Sequence, residues 1–174
     1  MTSTGEEIEI ADQFEEGNEA GIEQISFADG SSWDLDTITQ NAWYRGDEER
    51  DYLYGSDGSE TFAGNEGNDY ISGEAGDDIL IGGAGADSLW GGLGADQFVF
   101  DSLSSSTQTQ TDTISDFTQG EDKIDLSGLN IAYDDLSIST KDGSTIVEDI
   151  NSDFAFNIDG NHANLTEDQF IFQS

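Results

Sequence analysis

Residues 46–99 read GDEERDYLY GSDGSETFA GNEGNDYIS GEAGDDILI GGAGADSLW GGLGADQFV, six consecutive segments of nine residues. Position 1 is Gly in all six and position 4 is Gly in five; position 6 is Asp in five and Glu in the sixth, and position 8 is always Leu, Ile or Phe. A fixed phase over several periods marks stacked repeats, since no single segment buries its apolar residue alone. Gly at positions 1 and 4 permits positive φ and close backbone approach, so positions 1–6 read as a tight turn that aims carbonyl oxygens inward, with the position 6 carboxylate delivered to the same place. Positions 7–9 read as a very short strand whose position 8 side chain faces one way and whose neighbours face the other. Leu53, Phe62, Ile71, Leu80, Leu89 and Phe98 are therefore the expected inward face. An ordinary solvated acidic surface needs no glycine and no apolar residue in step with its charges.

The six segments follow the known nonapeptide pattern G-G-x-G-x-D-x-U-x of calcium-binding repeats, and residues 46–99 resemble the RTX, or haemolysin-type calcium-binding, family. The resemblance implies an all-β fold, a right-handed parallel β-roll of nonapeptide repeats with two repeats per coil, closed by N-terminal and antiparallel C-terminal β caps. Repeat n then lies over repeat n+2, with Leu53, Ile71 and Leu89 in one sheet and Phe62, Leu80 and Phe98 in the other. Tyr52, Tyr54, Tyr70 and Trp90 fall on the outer face of the first sheet, and Ile79, Ile81 and Val99 on that of the second. So thin an apolar core falls far short of the entropy lost in ordering the repeats, and bound metal is the expected missing contribution.

Every candidate ligand is a carboxylate or a backbone carbonyl, and an all-oxygen, flexible site suits Ca²⁺ better than the strict octahedron of Mg²⁺. Zinc and copper call for His or Cys, and the chain has one His and no Cys. In the family's arrangement one turn supplies the carbonyls of positions 2 and 4 with its position 6 carboxylate, and the turn 18 residues later supplies the carbonyls of positions 1 and 3 with its own. The resemblance thus implies four complete sites. The first joins Asp47, Glu49 and Asp51 to Gly64, Glu66 and Asp69, and the second joins Ser56, Gly58 and Glu60 to Gly73, Ala75 and Asp78. The third joins Asn65, Gly67 and Asp69 to Gly82, Ala84 and Asp87, and the fourth joins Glu74, Gly76 and Asp78 to Gly91, Leu93 and Asp96. Two half-sites stay open, at Gly83, Gly85 and Asp87 and at Gly92, Gly94 and Asp96, because no seventh or eighth turn follows in the repeat. Two positions depart from the pattern. Glu49 stands where a positive φ would be costly for a residue with a side chain, and Glu60 lengthens the arm of its carboxylate.

The composition agrees with a cation-dependent fold. The chain of 174 residues carries 39 Asp or Glu against four Lys or Arg, a formal charge of -35. Such an excess repels phosphate and anionic lipid, which argues against nucleic acid and membrane partners and for multivalent cations. The absence of Cys excludes disulfides, thiolate metal sites and cysteine nucleophiles, and the single His162 excludes any site needing two imidazoles. The first 20 residues lack the basic and apolar regions of a cleaved export signal, and no apolar run reaches a membrane span.

The flanks divide the chain into residues 1–45, the repeats at 46–99 and residues 100–174. In the first, EEIEIADQF and GIEQISFADGSSWDLDTI alternate, with Asp29-Gly30 as a turn between short strands. The second of these resembles the haemolysin-type calcium-binding related segment, and Asp34 or Asp36 is placed to cap a short helix reaching Ala42. Beyond a Ser/Thr/Gln run from Ser102 to Thr111, TDTISDFTQGEDKIDLSGL resembles the segment that closes the roll in serralysin-type proteases and in the R-modules of mannuronan C-5-epimerases. Asp112, Asp116, Asp122 and Asp125 are candidates there for a further ion. LSIST, KDGST, TIVEDI and FAFNID then alternate as strands, with Asp142-Gly143 as a hairpin turn. The ending NLTEDQFIFQS resembles the uncleaved C-terminal signals of type I secretion substrates and also reads as an edge strand packing Phe170 and Phe172.

No catalytic motif accompanies these features: there is no H-E-x-x-H, no G-x-S-x-G and no phosphate loop. The expected function is a non-catalytic calcium-binding module of a larger secreted protein, monomeric and binding about four or more Ca²⁺. It would fold on calcium outside the cell and engage type I secretion machinery. The alternative is a polysaccharide-binding accessory domain like the epimerase R-modules. Against an alginate polyanion stands the scarcity of cations, which are Arg45, Arg50, Lys123 and Lys141.

Overall fold

The computed structural model describes residues 24–26, 32–34 and 43–173. Contacts divide the chain into two compact units, residues 1–39 and 40–174. In the first, β1 (Gln24–Ser26) and β2 (Ser32–Asp34) pair antiparallel with Ile25 opposite Trp33. The Asp29-Gly30 turn, the EEIEIADQF segment and the helix expected to reach Ala42 lie outside the described residues.

The second unit begins with seven strands: β3 (Trp43–Arg45), β4 (Tyr52–Tyr54), β5 (Thr61–Glu66), β6 (Tyr70–Ser72), β7 (Ile79–Ala84), β8 (Ser88–Trp90) and β9 (Gln97–Val99). Alternate strands pair in parallel, so β4, β6 and β8 lie in one sheet and β3, β5, β7 and β9 in the other. Their registers stack Leu53 on Ile71 on Leu89 and Phe62 on Leu80 on Phe98. These are the two columns expected from the repeat, and all but Leu53 are fully buried. Outside the core, Tyr52, Tyr54, Ile79 and Trp90 are exposed.

The turns differ from expectation in one respect. Positive φ falls on positions 2 and 4, not 1 and 4, and only in the last four repeats: Asn65, Glu74, Gly83 and Gly92 at position 2, and Gly67, Gly76, Gly85 and Gly94 at position 4. Glu49 is not in the left-handed region, so it incurs no such cost. Position 4 still requires glycine where coils stack, because a methyl on Gly85 would sit 1.5 Å from the Gly67 carbonyl oxygen.

The parallel sheets do not stop at residue 99. After the Ser/Thr/Gln segment, β10 (Asp112–Ile114) adds to β8 with Ile114 beside Leu89, and β11 (Lys123–Asp125) adds to β9 with Ile124 beside Phe98. One more coil therefore follows the sixth repeat, which corrects the expectation that no seventh or eighth turn exists. The intervening segment is anchored beneath: the Ser106 hydroxyl donates to the Ala155 carbonyl at 2.5 Å and accepts the Asp112 N–H at 2.8 Å.

Three antiparallel strands complete the first sheet: β12 (Leu136–Lys141), β13 (Ser144–Asp149) and β14 (Ala155–Asp159), the last lying parallel beside β10. Asp142 and Gly143 link β12 to β13 with φ of 53° and 94°, the left-handed pair that a two-residue hairpin demands. A final strand, β15 (Phe170–Ile171), adds in parallel to β11. Phe100, Phe154 and Phe156 plug this end of the core, with Phe100 stacked on Phe156 at 4.6 Å. Among the described residues no helix is long and apolar enough to cross a membrane.

Candidate metal centre

Stacking coils of equal length places each position 6 carboxylate above the one 18 residues earlier. The inner oxygen of each upper carboxylate accepts the N–H of the residue below: Asp69 from Asp51 at 2.9 Å, Asp78 from Glu60 at 2.7 Å, Asp87 from Asp69 at 2.8 Å and Asp96 from Asp78 at 2.9 Å. Two residues outside the nonapeptides continue the ladder, for Asp112 Oδ1 accepts the Asp87 N–H at 2.9 Å and Asp122 Oδ1 accepts the Asp96 N–H at 3.0 Å. They occupy position 6 of the seventh and eighth turns. Their signal in the sequence is D-T-I at 112–114 and D-K-I at 122–124, which repeat the Asp-x-apolar order of positions 6–8. A search at fixed period misses it, because the separations are 25 and 26 residues instead of 18.

The outer oxygens have no such partners. Asp69, Asp78, Asp87 and Asp96 are almost wholly buried, and in each Oδ2 has no hydrogen-bond partner. A buried carboxylate oxygen without a partner is among the costliest groups a fold can hold. Around these oxygens the position 1 glycines leave open space. A methyl on Gly64 would lie 2.3 Å from both Asp69 Oδ2 and the Gly82 carbonyl oxygen, and one on Gly73 would lie 2.2 Å from Asp78 Oδ2 and 2.6 Å from the Gly91 oxygen. Beside Gly46 the same cradle is formed by Asp51 Oδ2 and the Gly64 oxygen, and beside Gly55 by Glu60 Oε2 and the Gly73 oxygen. Beside Gly82 and Gly91 the three nearest atoms all belong to Asp87 and Asp96 respectively; the last coil supplies carboxylates but no position 1 carbonyl so close.

The other residues expected at the sites are placed as follows. The position 4 carbonyl of Glu49 lies near Asp69 Oδ1, each within 2.8 Å of the point a Gly67 methyl would occupy. The position 2 carbonyls of Asp47, Ser56 and Glu74 accept the N–H groups of Glu66, Ala75 and Leu93 in the next coil, and the position 3 carbonyls of Ala84 and Leu93 accept those of Gly67 and Gly76. These carbonyls stitch coil to coil and keep a second lone pair each. Asn65, Gly83, Glu66 and Ala84 meet in the extended β5–β7 pairing. Asp116 spans Gly91 and Gly92, accepting their N–H groups at 2.9 and 2.8 Å. Asp125 instead accepts the Ser127 N–H and the Gln97 side-chain amide, away from the ladder. Among the described residues no three acidic or histidine side chains converge on one point, so the cradles are made of one or two carboxylates and backbone oxygen.

Burial sets the electrostatics. It lifts the Asp78 carboxyl to about 7, with the charge of Asp96 adding to the rise, and lifts those of Asp87 and Asp96 to about 6. Asp112 is pushed to about 9 by burial first and then by the charge of Asp87. Asp69 and Asp122 are raised for the same leading reason. A column of like charges withdrawn from water lacks compensating positive charge, and an all-oxygen donor set with unpartnered anionic oxygens fits a hard divalent cation.

Parallel sheets closed by a ladder of aspartates define this unit as a calcium-binding β-roll of the haemolysin type. The comparisons with known proteins agree: residues 61–170 match the peptidase M10 serralysin C-terminal family, residues 2–37 the haemolysin-type calcium-binding protein related domain and residues 40–71 the RTX calcium-binding nonapeptide repeat. The chain belongs to the serralysin C-terminal family and carries RTX haemolysin-type repeats. Among solved structures it is similar to the AlgE6R3 subunit of the Azotobacter vinelandii mannuronan C5-epimerase, at 35% identity and a TM-score of 0.63 over 73% of this chain and 80% of that one. The AlgE6R2 subunit of the same enzyme is 33% identical with a TM-score of 0.63, over 74% of this chain and 91% of that one. The extracellular lipase LipA of Serratia marcescens shares the fold at 20% identity and a TM-score of 0.56, over 75% of this chain and 20% of the lipase. The comparison with curated proteins returned no match. The protein is thus a calcium-binding RTX module of the kind found in secreted proteins, typically a non-catalytic part of a larger chain.

Proposed function

We propose that this module orders itself on calcium after leaving the cell by a type I route. The observation that carries the reading is the set of four buried carboxylate oxygens without partners. Calcium would supply the missing positive charge there, held by these carboxylates with carbonyls of the turns above and below, among them those of Gly82 and Gly91. Asp112 and Asp122 extend the donor set to the half-sites of Asp87 and Asp96. In low cytosolic calcium the uncompensated carboxylates oppose folding, which suits passage through a narrow channel; millimolar calcium outside drives folding by mass action. Residues 100–174 would close the C-terminal end of the roll and carry the secretion signal.

Far-UV circular dichroism of the chelated chain, titrated with Ca²⁺ and separately with Mg²⁺, tests this. The expected result is a cooperative gain of β signal with calcium alone. A chain fully folded in chelator and indifferent to calcium removes the proposal.

The likeness to epimerase subunits and the exposed aromatic face of Tyr52, Tyr54 and Trp90 favour a second reading, a polysaccharide-binding accessory domain. Calorimetric titration with alginate oligomers in calcium separates the two, since a flat signal at millimolar ligand eliminates alginate binding.

A further inference from the structure

The first coil handles its carboxylates differently from the two nonapeptide coils stacked on it, and the final turn returns to its pattern, with Asp122 Oδ2 accepting the Thr118 N–H at 2.7 Å. In the turns of Asp69, Asp78, Asp87 and Asp96 the outer oxygen has no partner. In the two earlier turns the corresponding oxygen accepts the position 2 amide of its own turn: Asp51 Oδ2 from the Asp47 N–H at 2.8 Å, and Glu60 Oε2 from the Ser56 N–H at 3.0 Å. The Ser56 hydroxyl donates to the other oxygen of Glu60. The backbone changes with the carboxylate. Positions 2 and 4 have positive φ in the four later turns, whereas Asp47, Glu49, Ser56 and Gly58 do not. Departure from the repeat pattern explains part of this. Glu49 replaces the glycine that a left-handed position 4 favours, and the longer arm of Glu60 reaches back to Ser56.

We infer that residues 46–60 form a self-capped coil in which the amides of Asp47 and Ser56 take the place of a cation, and that tight calcium is held on the outer oxygens of Asp69, Asp78, Asp87 and Asp96. The inference rests on the calcium reading above and adds an occupancy map to it. A carboxylate that already accepts N–H bonds gives them up to take a cation, while a buried oxygen without a partner gains its first one. The ladder of ions is therefore shifted one coil toward the C-terminus from the set implied by the nonapeptides alone. The cradles of Asp51 and Glu60 drop out, and those of Asp87 and Asp96 enter beneath Asp112 and Asp122, whose Oδ1 atoms accept the Asp87 and Asp96 N–H groups. The first coil orders on its own hydrogen bonds and terminates the roll.

Isothermal calorimetry of the full chain with CaCl₂, after removal of metal with chelator, reads the number of tight ions. Glu60→Gln and Asp51→Asn are expected to leave that number as in the parent, and Asp87→Asn and Asp96→Asn to lower it by at least one each. Folding of every variant in saturating calcium is checked first by circular dichroism, and a variant that does not fold is read through its partner, Asp51→Asn for Glu60→Gln and Asp96→Asn for Asp87→Asn. Loss of tight calcium in a first-coil variant equal to the loss in Asp87→Asn overturns the inference. A parent chain that takes up no calcium at all is a different result, and it overturns the calcium reading on which the inference stands.

Discussion

Replacing Gly64 by alanine fills one cradle with a single methyl group. Gly64 is outside the positive-φ set, so alanine brings no backbone strain of that kind. Its methyl would stand 2.3 Å from Asp69 Oδ2 and 2.3 Å from the Gly82 oxygen, and neither can yield without disturbing a strand or the ladder. Overfilling a packed site costs about 1–3 kcal/mol. Excluding a cation present at a hundred times its dissociation constant removes a further ~2.7 kcal/mol of stabilisation. Gly64→Ala is therefore expected to lose about 4–6 kcal/mol in calcium, of which the steric part alone persists at lower calcium. Gly120→Ala is the control, for nothing lies within 4 Å of its added methyl and its φ of 95° imposes only local strain, roughly 1–2 kcal/mol at any calcium level. Urea unfolding at several calcium concentrations, with calorimetric counting of ions, measures both. The reasoning is refuted if Gly64→Ala binds as many ions as the parent and loses no more stability in calcium than Gly120→Ala.

Other consequences follow from the same geometry. Asp78, Asp87, Asp96 and Asp112 titrate in the metal-free fold at about 7, 6, 6 and 9 against an ordinary 3.8, so the folded chain binds more protons than the unfolded one between these limits. The propensity to fold without metal should therefore fall as pH rises from about 4 through 7 and beyond, so the chelated chain should show more β signal by circular dichroism at about pH 5 than at about pH 8, and the reverse order contradicts this. Calcium competes with those protons, so its apparent affinity by calorimetry should be weaker at about pH 5 than at about pH 7.5. Asp116→Ala strips the partners from two amides of the sixth turn, and a loss of about 2–4 kcal/mol is expected in urea unfolding with calcium present; no change would remove the capping role. Phe98→Ala, in the fully buried column, should cost about 3–5 kcal/mol, while Tyr52→Ala on the exposed face stays within ~0.5 kcal/mol, both by the same assay.

The parts of this fold that can be read from the sequence are those governed by a strict period. The nine-residue period, taken with the two repeats per coil that the RTX resemblance implies, fixes which residue lies above which, so the columns of Leu53 and Phe62 follow at once, and Asp142-Gly143 announces its hairpin through the left-handed pair such a turn requires. The parts that cannot be read depend on geometry that a repeat only averages. The seventh and eighth turns keep the Asp-x-Ile order at Asp112 and Asp122, but the extra residues of the Ser/Thr/Gln segment break the phase, and only the sheet restores it. Nothing in the sequence around Asp116 signals that it both takes the place of the backbone carbonyl that accepts the position 1 amide in earlier turns and accepts the Gly92 N–H. The divergence of the first coil is equally hidden. Ser56 stands at position 2, which varies along the repeat, and whether it donates to Glu60 depends on the backbone form of that turn.

The central claim is that the partnerless oxygens of the aspartate ladder belong to calcium. A crystal structure of the calcium-loaded chain, with anomalous scattering recorded to identify the ion, tests it at the atoms concerned. The account predicts an ion bonded to Asp69 Oδ2 together with the Gly82 carbonyl, and another bonded to Asp78 Oδ2 together with that of Gly91. Well-ordered Asp69 and Asp78 side chains whose outer oxygens meet only water or backbone amides, with no anomalous peak between the coils, would contradict it.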